Sequence, residues 1–230
     1  MPKRFLVTAG NTREPMDRVR DWGNIFTGNT GFSIANALAD VGEVDLLTSN
    51  SGHLDSLEAG EAIHGFSFRS HADLVALLDR KMRSGSYDAI FMTAAVADYS
   101  PAGAFEVAER TLRDDGTEEW IVRNVQKGKV SSAHREVAFL GKPTEKIVDL
   151  FRGRWGFKGL LVKFKLEVGI SKEELIAIGQ KSRLASGADY LVANTLVMVT
   201  GEGAGAFLLG DKLEEWVPRG TLAQRLKKLV

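Results

Sequence analysis

The chain has 230 residues, in which 30 Lys and Arg balance 30 Asp and Glu and no cysteine occurs. That length suits one large α/β domain with a proper core, and the charge balance leaves no whole-chain field to draw nucleic acid or an anionic membrane. Without cysteine there are no disulfides, thiolate metal sites or cysteine nucleophile.

In chain order, the first element is the apolar run "RFLVT", a strand that stops at Thr8, too short for a signal peptide. No later run approaches the roughly 20 apolar residues of a spanning helix, so a soluble, cytoplasmic protein is expected. The stretch "DWGNIFTGNTGFSIANALAD" (21–40) begins as a loop with Gly23, Gly28 and Gly31 and ends as a helix. A strand, a glycine-bearing loop and a helix together bring backbone N–H groups to an anion. Three-and-four spacing assigns the helix's buried face to Ile34, Ala37, Leu38 and Val41, with Gly42 closing it. Strands follow in "EVDLLTS" and "AIHGFSF", then a helix around Leu74, Leu77, Leu78 and Met82, then a strand within "YDAIFMTAAV". This alternation predicts an α/β fold, a Rossmann-like, mostly parallel sheet with helices on both faces.

From about Pro101 to Lys142 the alternation breaks. "RTLRDDGTEEWIVRNV" predicts two short strands about a "DDG" turn, and "KGKVSSAHREVAFLG" another extended pair. Isolated strands are barely stable in water, so this arm should pair with something; a twofold copy would bury Leu112, Trp120, Ile121 and Val122 on both sides, and a homodimer is expected. Alternation then resumes: a helix at "PTEKIVDLF" with its proline in the first turn, a strand "GLLVKFKLE", a helix "SKEELIAIGQKSRLA" and a strand "DYLVAN". The tail reads as hairpins closed by a helix with Leu222, Leu226 and Leu229 on one stripe. No repeat or linker divides the chain, which gives a single domain, 1–230, with a dimerisation arm at about 101–142.

Familiar nucleotide signatures are missing. The loop after the first strand lacks G-x-G-x-x-G, and the "GEGAGA" at 201–206 precedes a hairpin instead of a helix. No G-x-x-x-x-G-K-[ST] loop occurs, and none of Tyr87, Tyr99 and Tyr190 has a lysine four residues on. His53, His64, His71 and His134 fall in no metal spacing and read as surface or satisfied core residues. What remains are polar residues at the carboxyl ends of strands, where ligands sit in open α/β sheets. Each also has a plain reading: Asp98 and Asn194 as turn residues, Lys163 and Lys165 as the solvated side of an edge strand.

The motifs "VTAGNTREPMDRVR", "NIFTGNTG", "AAVADYSP", "KGKVSS", "KFKLE" and "SGADYLVANT" occur in the order found in phosphopantothenate-cysteine ligase, and nearly the whole chain resembles that family, especially its stand-alone form without a fused flavin decarboxylase. Ala9 to Thr12, Glu14, Asp17, Val19 and Arg20 follow its first-loop pattern, and Asn24, Thr27, Gly28 and Gly31 its helix entrance. The resemblance implies a ligase of coenzyme A synthesis. In that family the carboxylate of 4'-phosphopantothenate attacks the α-phosphate of CTP or ATP, pyrophosphate leaves, and L-cysteine takes the acyl group from the acyl-nucleotide. Both steps gather negative charge, which Mg²⁺, lysines and oriented amides would stabilise.

Carried over residue by residue, the resemblance implies that Asn24 stabilises the acyl oxyanion and that Lys129 sits on an arm reaching a neighbouring active site. Asp98 holds the metal or the nucleotide. Gly10, Asn11, Thr12, Thr27, Gly28 and Ala95 surround the phosphates, Phe164 and Lys165 flank base and sugar, and Lys181 and Asn194 complete the nucleotide contacts. It also implies a homodimer, with a separate flavin-dependent decarboxylase acting on the product. Three positions depart from the pattern: Asn11 stands for a glycine, Phe26 for a hydroxyl residue and Thr195 for an aspartate. Asn11 is expected to tolerate a left-handed backbone. The departures leave open a relative acting on another carboxylate, or a nucleotide-binding regulator without catalysis.

Overall fold

In the computed structural model, which describes residues 2–58, 62–201 and 203–230, the first strand, β1 (Lys3–Ala9), is buried on both faces from Phe5 onward. A continuous apolar run of this kind belongs at the centre of a parallel sheet. The loop after it folds into a small hairpin, β2 (Arg13–Pro15) against β3 (Asp21–Gly23), before α1 (Asn29–Ala39) begins. β4 (Gly42–Thr48), α2 (Ser51–Asp55), β5 (Ile63–Ser67), α3 (His71–Ser84) and β6 (Ala89–Met92) continue the alternation. The arm consists of β7 (Tyr99–Leu112), β8 (Glu118–Asn124) and β9 (Val137–Pro143). After it come α4 (Ile147–Arg152), β10 (Leu160–Glu167), α5 (Lys172–Ala185), β11 (Tyr190–Thr195), a single 3₁₀ turn, β12 (Gly205–Leu209), β13 (Glu214–Pro218) and α6 (Arg219–Lys227).

The main sheet has the order β13-β12-β11-β10-β6-β1-β4-β5. Six strands run parallel, and β12 and β13 are antiparallel at one edge. Alternate residues of β1 face opposite sides: Phe5 and Val7 meet Ile34 and Leu38 of α1, and Leu6 meets Leu74 and Leu78 of α3. With Leu222 and Leu226 of α6 beside α1, and Phe151 of α4 beside α3, helices cover both faces as expected. From β1 the chain moves out through β4 to β5, then returns to place β6 on the other side of β1. That reversal is the switch point where open α/β sheets take ligands.

Several expected details are corrected. α1 ends at Ala39, so Val41 lies beyond it and is exposed. Gly42 opens β4 instead of closing α1; a Cβ there would stand 2.4 Å from the Lys3 carbonyl oxygen, so close strand approach explains the glycine. α4 starts at Ile147, four residues after Pro143, because Thr144 is held extended: its N–H donates to Asp98 O at 2.9 Å and its hydroxyl to Ala97 O at 2.6 Å. Of "KGKVSSAHREVAFLG" only the end is strand. The backbone of its first part is satisfied elsewhere, with Gly128 O accepting from Arg18 N and Val130 bonded to Asp17 and Arg20, so it has no need of a ladder. The arm is thus three strands, β8-β7-β9, around the 14-residue β7. Finally, β10 lies between β6 and β11, not at an edge, and Lys163 is buried with Nζ donating to Ser182 and Ser186 oxygens. Burial lowers its pKa below the ordinary lysine value.

Candidate active site

Two clefts meet at the switch point. The first holds about 230 Å³ at the carboxyl ends of β1, β6, β10 and β11. Its floor is glycine, by necessity. Gly28 caps α1 in the left-handed region at φ 84°, and a Cβ there would stand 2.0 Å from the Gly10 nitrogen. Gly10, at φ 86°, is pressed in turn against Ser49. Gly31 lets α1 descend onto the sheet, since a Cβ would stand 2.3 Å from Thr93 Oγ1. No side chain caps α1 and its first turn has no acid, so the opening N–H groups are left to the cleft. Lys165 and Arg219 also line it, and no lining residue among those described is acidic. The opposite wall is apolar, with Phe164, Leu166, Val192, Met198 and Leu222.

The second cleft is polar, lined by Asn11, Arg13, Asp21, Asn24, Ser49 and Asn50 among others. Phe26 and Thr27 line both clefts and so form the wall between them. Asn24 Nδ2 donates to Ala95 O at 3.2 Å, which uses one of its two amide hydrogens, and its backbone carbonyl accepts from the Asn11 side chain. Ala95 N–H in turn donates to Gly10 O at 2.9 Å. Asn24 is therefore tied to the loops after both β1 and β6.

Of the residues expected in the site, Gly10, Thr27, Gly28, Ala95, Phe164, Lys165 and Asn194 line the first cleft, and Asn11, Asn24 and Thr27 the second. Asn11 has no positive φ; it bridges Ala95 in extended form, and that, not tolerance of a left-handed backbone, is why asparagine fits there. Four expected residues line neither cleft. Thr12 is fully buried beneath them, its hydroxyl accepting from Ala97 N–H at 2.8 Å. Lys181 is exposed on α5, and Asp98 is exposed where β7 begins. Lys129 is exposed on a segment latched to the 16–20 loop of the same chain. Thr195 is buried and absent from both linings.

The first-loop pattern residues also do something other than touch a ligand. Glu14 is buried and accepts from His71 N–H at 2.7 Å, docking the start of α3. Asp17 accepts from Val19, Arg20 and Val130 N–H groups and pairs with the Arg20 guanidinium, which holds its carboxyl well below the usual range. Sequence reasoning missed Arg219, which sits at the helix start after Pro218, a position ordinary capping explains, and Arg13, which looked like one loop residue among many. For a metal the donors do not fit. Among the described residues no carboxylate lines the first cleft, Asp21 in the second is paired with Arg69 at 2.8 Å, and no group of three or more His, Asp or Glu gathers. None of these clefts is a metal cage.

A parallel sheet whose switch point holds an uncapped helix start, Lys165 paired with Glu167 at 3.0 Å, Arg219 and an apolar wall defines an α/β protein of the open-sheet class, whose ligands sit at that point. Residues 1–118 match the DNA/pantothenate metabolism flavoprotein C-terminal domain, and the chain belongs to that family. It is 31% identical over 229 residues to the coenzyme A biosynthesis bifunctional protein CoaBC of Thermococcus kodakarensis, covering 97% of this chain and 50% of that one. With the protein of the same description from Mycolicibacterium smegmatis it shares 38% over 163 residues, 66% of this chain and 38% of that one. The chain thus spans about half the length of the curated relatives it matches. The fold is that of the DNA/pantothenate metabolism flavoprotein from Streptococcus pneumoniae, with a TM-score of 0.81 at 24% identity over 100% of this chain and 98% of that one. A Cab2 mutant in complex with phosphopantothenate-cysteine shares it at a TM-score of 0.64 and 16% identity, over 94% of this chain and 80% of that one. Among the described residues no helix is long and apolar enough to cross a membrane.

Proposed function

We propose that the chain is a ligase joining 4'-phosphopantothenate to L-cysteine through an acyl-nucleotide, with release of pyrophosphate, in coenzyme A biosynthesis. One arrangement supports this most: an anion-directed cleft with an apolar wall shares its Phe26–Thr27 partition with a polar cleft bearing Asn24. A reaction that first couples a carboxylate to a nucleotide and then exchanges the nucleotide for an amine needs two adjoining sites. The relatives point the same way, one named for coenzyme A biosynthesis and another holding phosphopantothenate-cysteine.

In this reading a nucleoside triphosphate, CTP or ATP, occupies the first cleft. Its phosphates lie against Gly10, Gly28 and the opening N–H groups of α1, and its base lies against Phe164 and Leu166. The acyl substrate occupies the polar cleft with its carboxylate at the partition. A carboxylate oxygen attacks the α-phosphorus, and the bond to pyrophosphate breaks with its electrons going to the leaving oxygen. The amino nitrogen of cysteine then attacks the acyl carbon and gives up a proton to solvent, and the nucleoside monophosphate departs as the acyl C–O bond breaks. Asn24 offers its second amide hydrogen to the oxyanion of this step, while Lys165 and Arg219 offset charge around the phosphates. Magnesium, which the resemblance implies, would enter with the triphosphate and offset its charge, since the described linings hold no protein cage for it. Asp98, Lys129 and Lys181 act in this scheme only if a second chain brings its own clefts to them. We therefore propose a homodimer in which Lys129 serves the neighbouring subunit, a cytoplasmic setting, and a separate flavin-dependent decarboxylase acting on the product.

The test is pyrophosphate release with phosphopantothenate, cysteine and each triphosphate in turn. Release dependent on phosphopantothenate is expected, with CTP the better donor. No product with either nucleotide refutes the ligase, and nucleotide binding without turnover would favour a regulator.

A further inference from the structure

His53 has four ordered neighbours behind the partition between the clefts. It is buried in α2, and its ring stacks on Phe32 of α1 with centroids 4.5 Å apart and planes within 3°. Nδ1 lies 3.2 Å from Thr48 Oγ1. Nε2 lies 3.0 Å from Asn29 Oδ1 and 3.3 Å from Asn50 Nδ2. Asn29 opens α1 and lines the first cleft, while Asn50 lines the second and donates from Nδ2 to Thr27 O at 3.1 Å.

The contact of Nε2 with Asn29 Oδ1 at 3.0 Å, shorter than that with Asn50 Nδ2 at 3.3 Å, assigns the ring proton to Nε2. With the proton on Nε2, the Thr48 hydroxyl, whose oxygen also accepts from Asn50 N–H at 3.1 Å, donates its hydrogen to His53 Nδ1. Nδ1 is then an acceptor and a neutral ring carries its proton on Nε2. Asn50 Oδ1 is taken by Gly52 N–H at 3.0 Å, so its Nδ2 is a donor, directed to Thr27 O. Only Asn29 Oδ1 can accept from Nε2–H. Once it does, Asn29 Nδ2 is left to a ligand in the first cleft.

We infer that His53 is a positioning residue for the nucleotide: as the neutral Nε2–H tautomer it orients the Asn29 amide so that its donor serves the first cleft. Through the shared stack and Asn50 it also steadies the Thr27 end of the partition. This rests on the reading that a nucleotide occupies that cleft. A histidine that merely fills the core would make the same stack on Phe32 but would not transmit its hydrogen bond to ligand affinity.

The affinities of the full-length protein for CTP and ATP, measured by calorimetry at a temperature where every variant is folded, decide between these. His53→Phe keeps an aromatic ring and removes both nitrogens; it should weaken the preferred nucleotide about tenfold, the order of one lost hydrogen bond. His53→Gln, whose Nε2 can donate to Asn29, should stay within about threefold of wild type, since the hydrogen bond survives. Asn29→Ala should weaken binding like His53→Phe, and the double variant should lose no more than either. Unchanged affinity in folded His53→Phe overturns the inference, as do losses that add in the double variant. If His53→Phe does not fold, the ring-nitrogen chemical shifts of wild type decide, and a proton on Nδ1 overturns it. Wild type that binds neither nucleotide refutes the ligase reading and this inference with it. Wild type that binds, with variants that bind equally, refutes this inference alone.

Discussion

Gly28 concentrates the constraints of the site into one residue. Its φ of 84° disfavours any L side chain, and a Cβ would be driven into the backbone of Gly10. Gly28→Ala should cost at least about 1–2 kcal/mol from backbone conformation alone, with the clash added. A chemical-denaturation midpoint equal to wild type would contradict this. Asn24 makes the opposite prediction, affecting chemistry and not stability, because it is exposed and uses only one amide hydrogen internally. Asn24→Ala should slow amide formation by about 10²–10³ while pyrophosphate still appears in the first turnover. Acyl-nucleotide should then accumulate in quenched mixtures, and equal loss of both steps would refute the division. Burial also holds His53 below its ordinary pKa of 6.5, so at neutral pH it is uncharged in the fold. As pH falls through that value the unfolded chain takes up the proton first, and stability should decline; above it the contribution is complete. His53→Phe should flatten that slope between pH 7.5 and 5 in urea titrations.

At the scale of elements, the loop at 16–20 is a latch for the segment carrying Lys129. Asp17 has its carboxylate enclosed and joined to Val130 N–H at 3.1 Å, and Arg20 reaches Val130 O at 2.8 Å. The carboxyl is held in its charged form chiefly by Arg20, so its stabilisation is complete above the ordinary value of 3.8 and is lost as pH falls further. Asp17→Asn should release the segment at neutral pH without unfolding the sheet, whose strands it does not touch. Hydrogen exchange localised to residues 126–131 is the expected result, and unchanged protection there would show that the latch is redundant. A sequence pattern spanning Asp17 and Arg20 thus serves placement of a distant lysine, which no local rule suggests.

For the whole molecule, the arm raises the question of what covers it. Every residue of β8 is exposed, and Leu112, Trp120, Ile121, Val122 and Leu140 leave apolar surface on a three-stranded sheet standing off the main one. Such a surface is commonly an interface, and a homodimer remains our proposal. An inactive Lys129→Ala protein mixed with an inactive Asn24→Ala protein should recover part of the activity, because one site of each mixed dimer has both residues intact. A monomer by light scattering at assay concentration, or exchanged dimers without recovery, would end it.

What the sequence by itself determined were features whose cause is local. Apolar runs and three-and-four spacing located β1, β4, β5, α3, α5 and β11, and the glycines at 28 and 31 marked the start of α1, since backbone sterics act within a few residues. The hairpin turn of the arm was legible for the same reason. The tertiary structure alone decided which polar residues share a cleft, because that depends on strand order. β6 lies beside β1 and so brings Ala95 to Asn24, whereas Asp98, only three residues on, turns out to solvent. It also decided that Thr12 is a buried peg, that Arg219 lines the cleft of Gly10 and Gly28 from the far end of the chain, and that a histidine without any metal spacing stacks on α1 behind the two clefts. The hydrogen bonds among these residues join positions 24 to 85 apart, and side chains that distant meet only where the sheet's order places them.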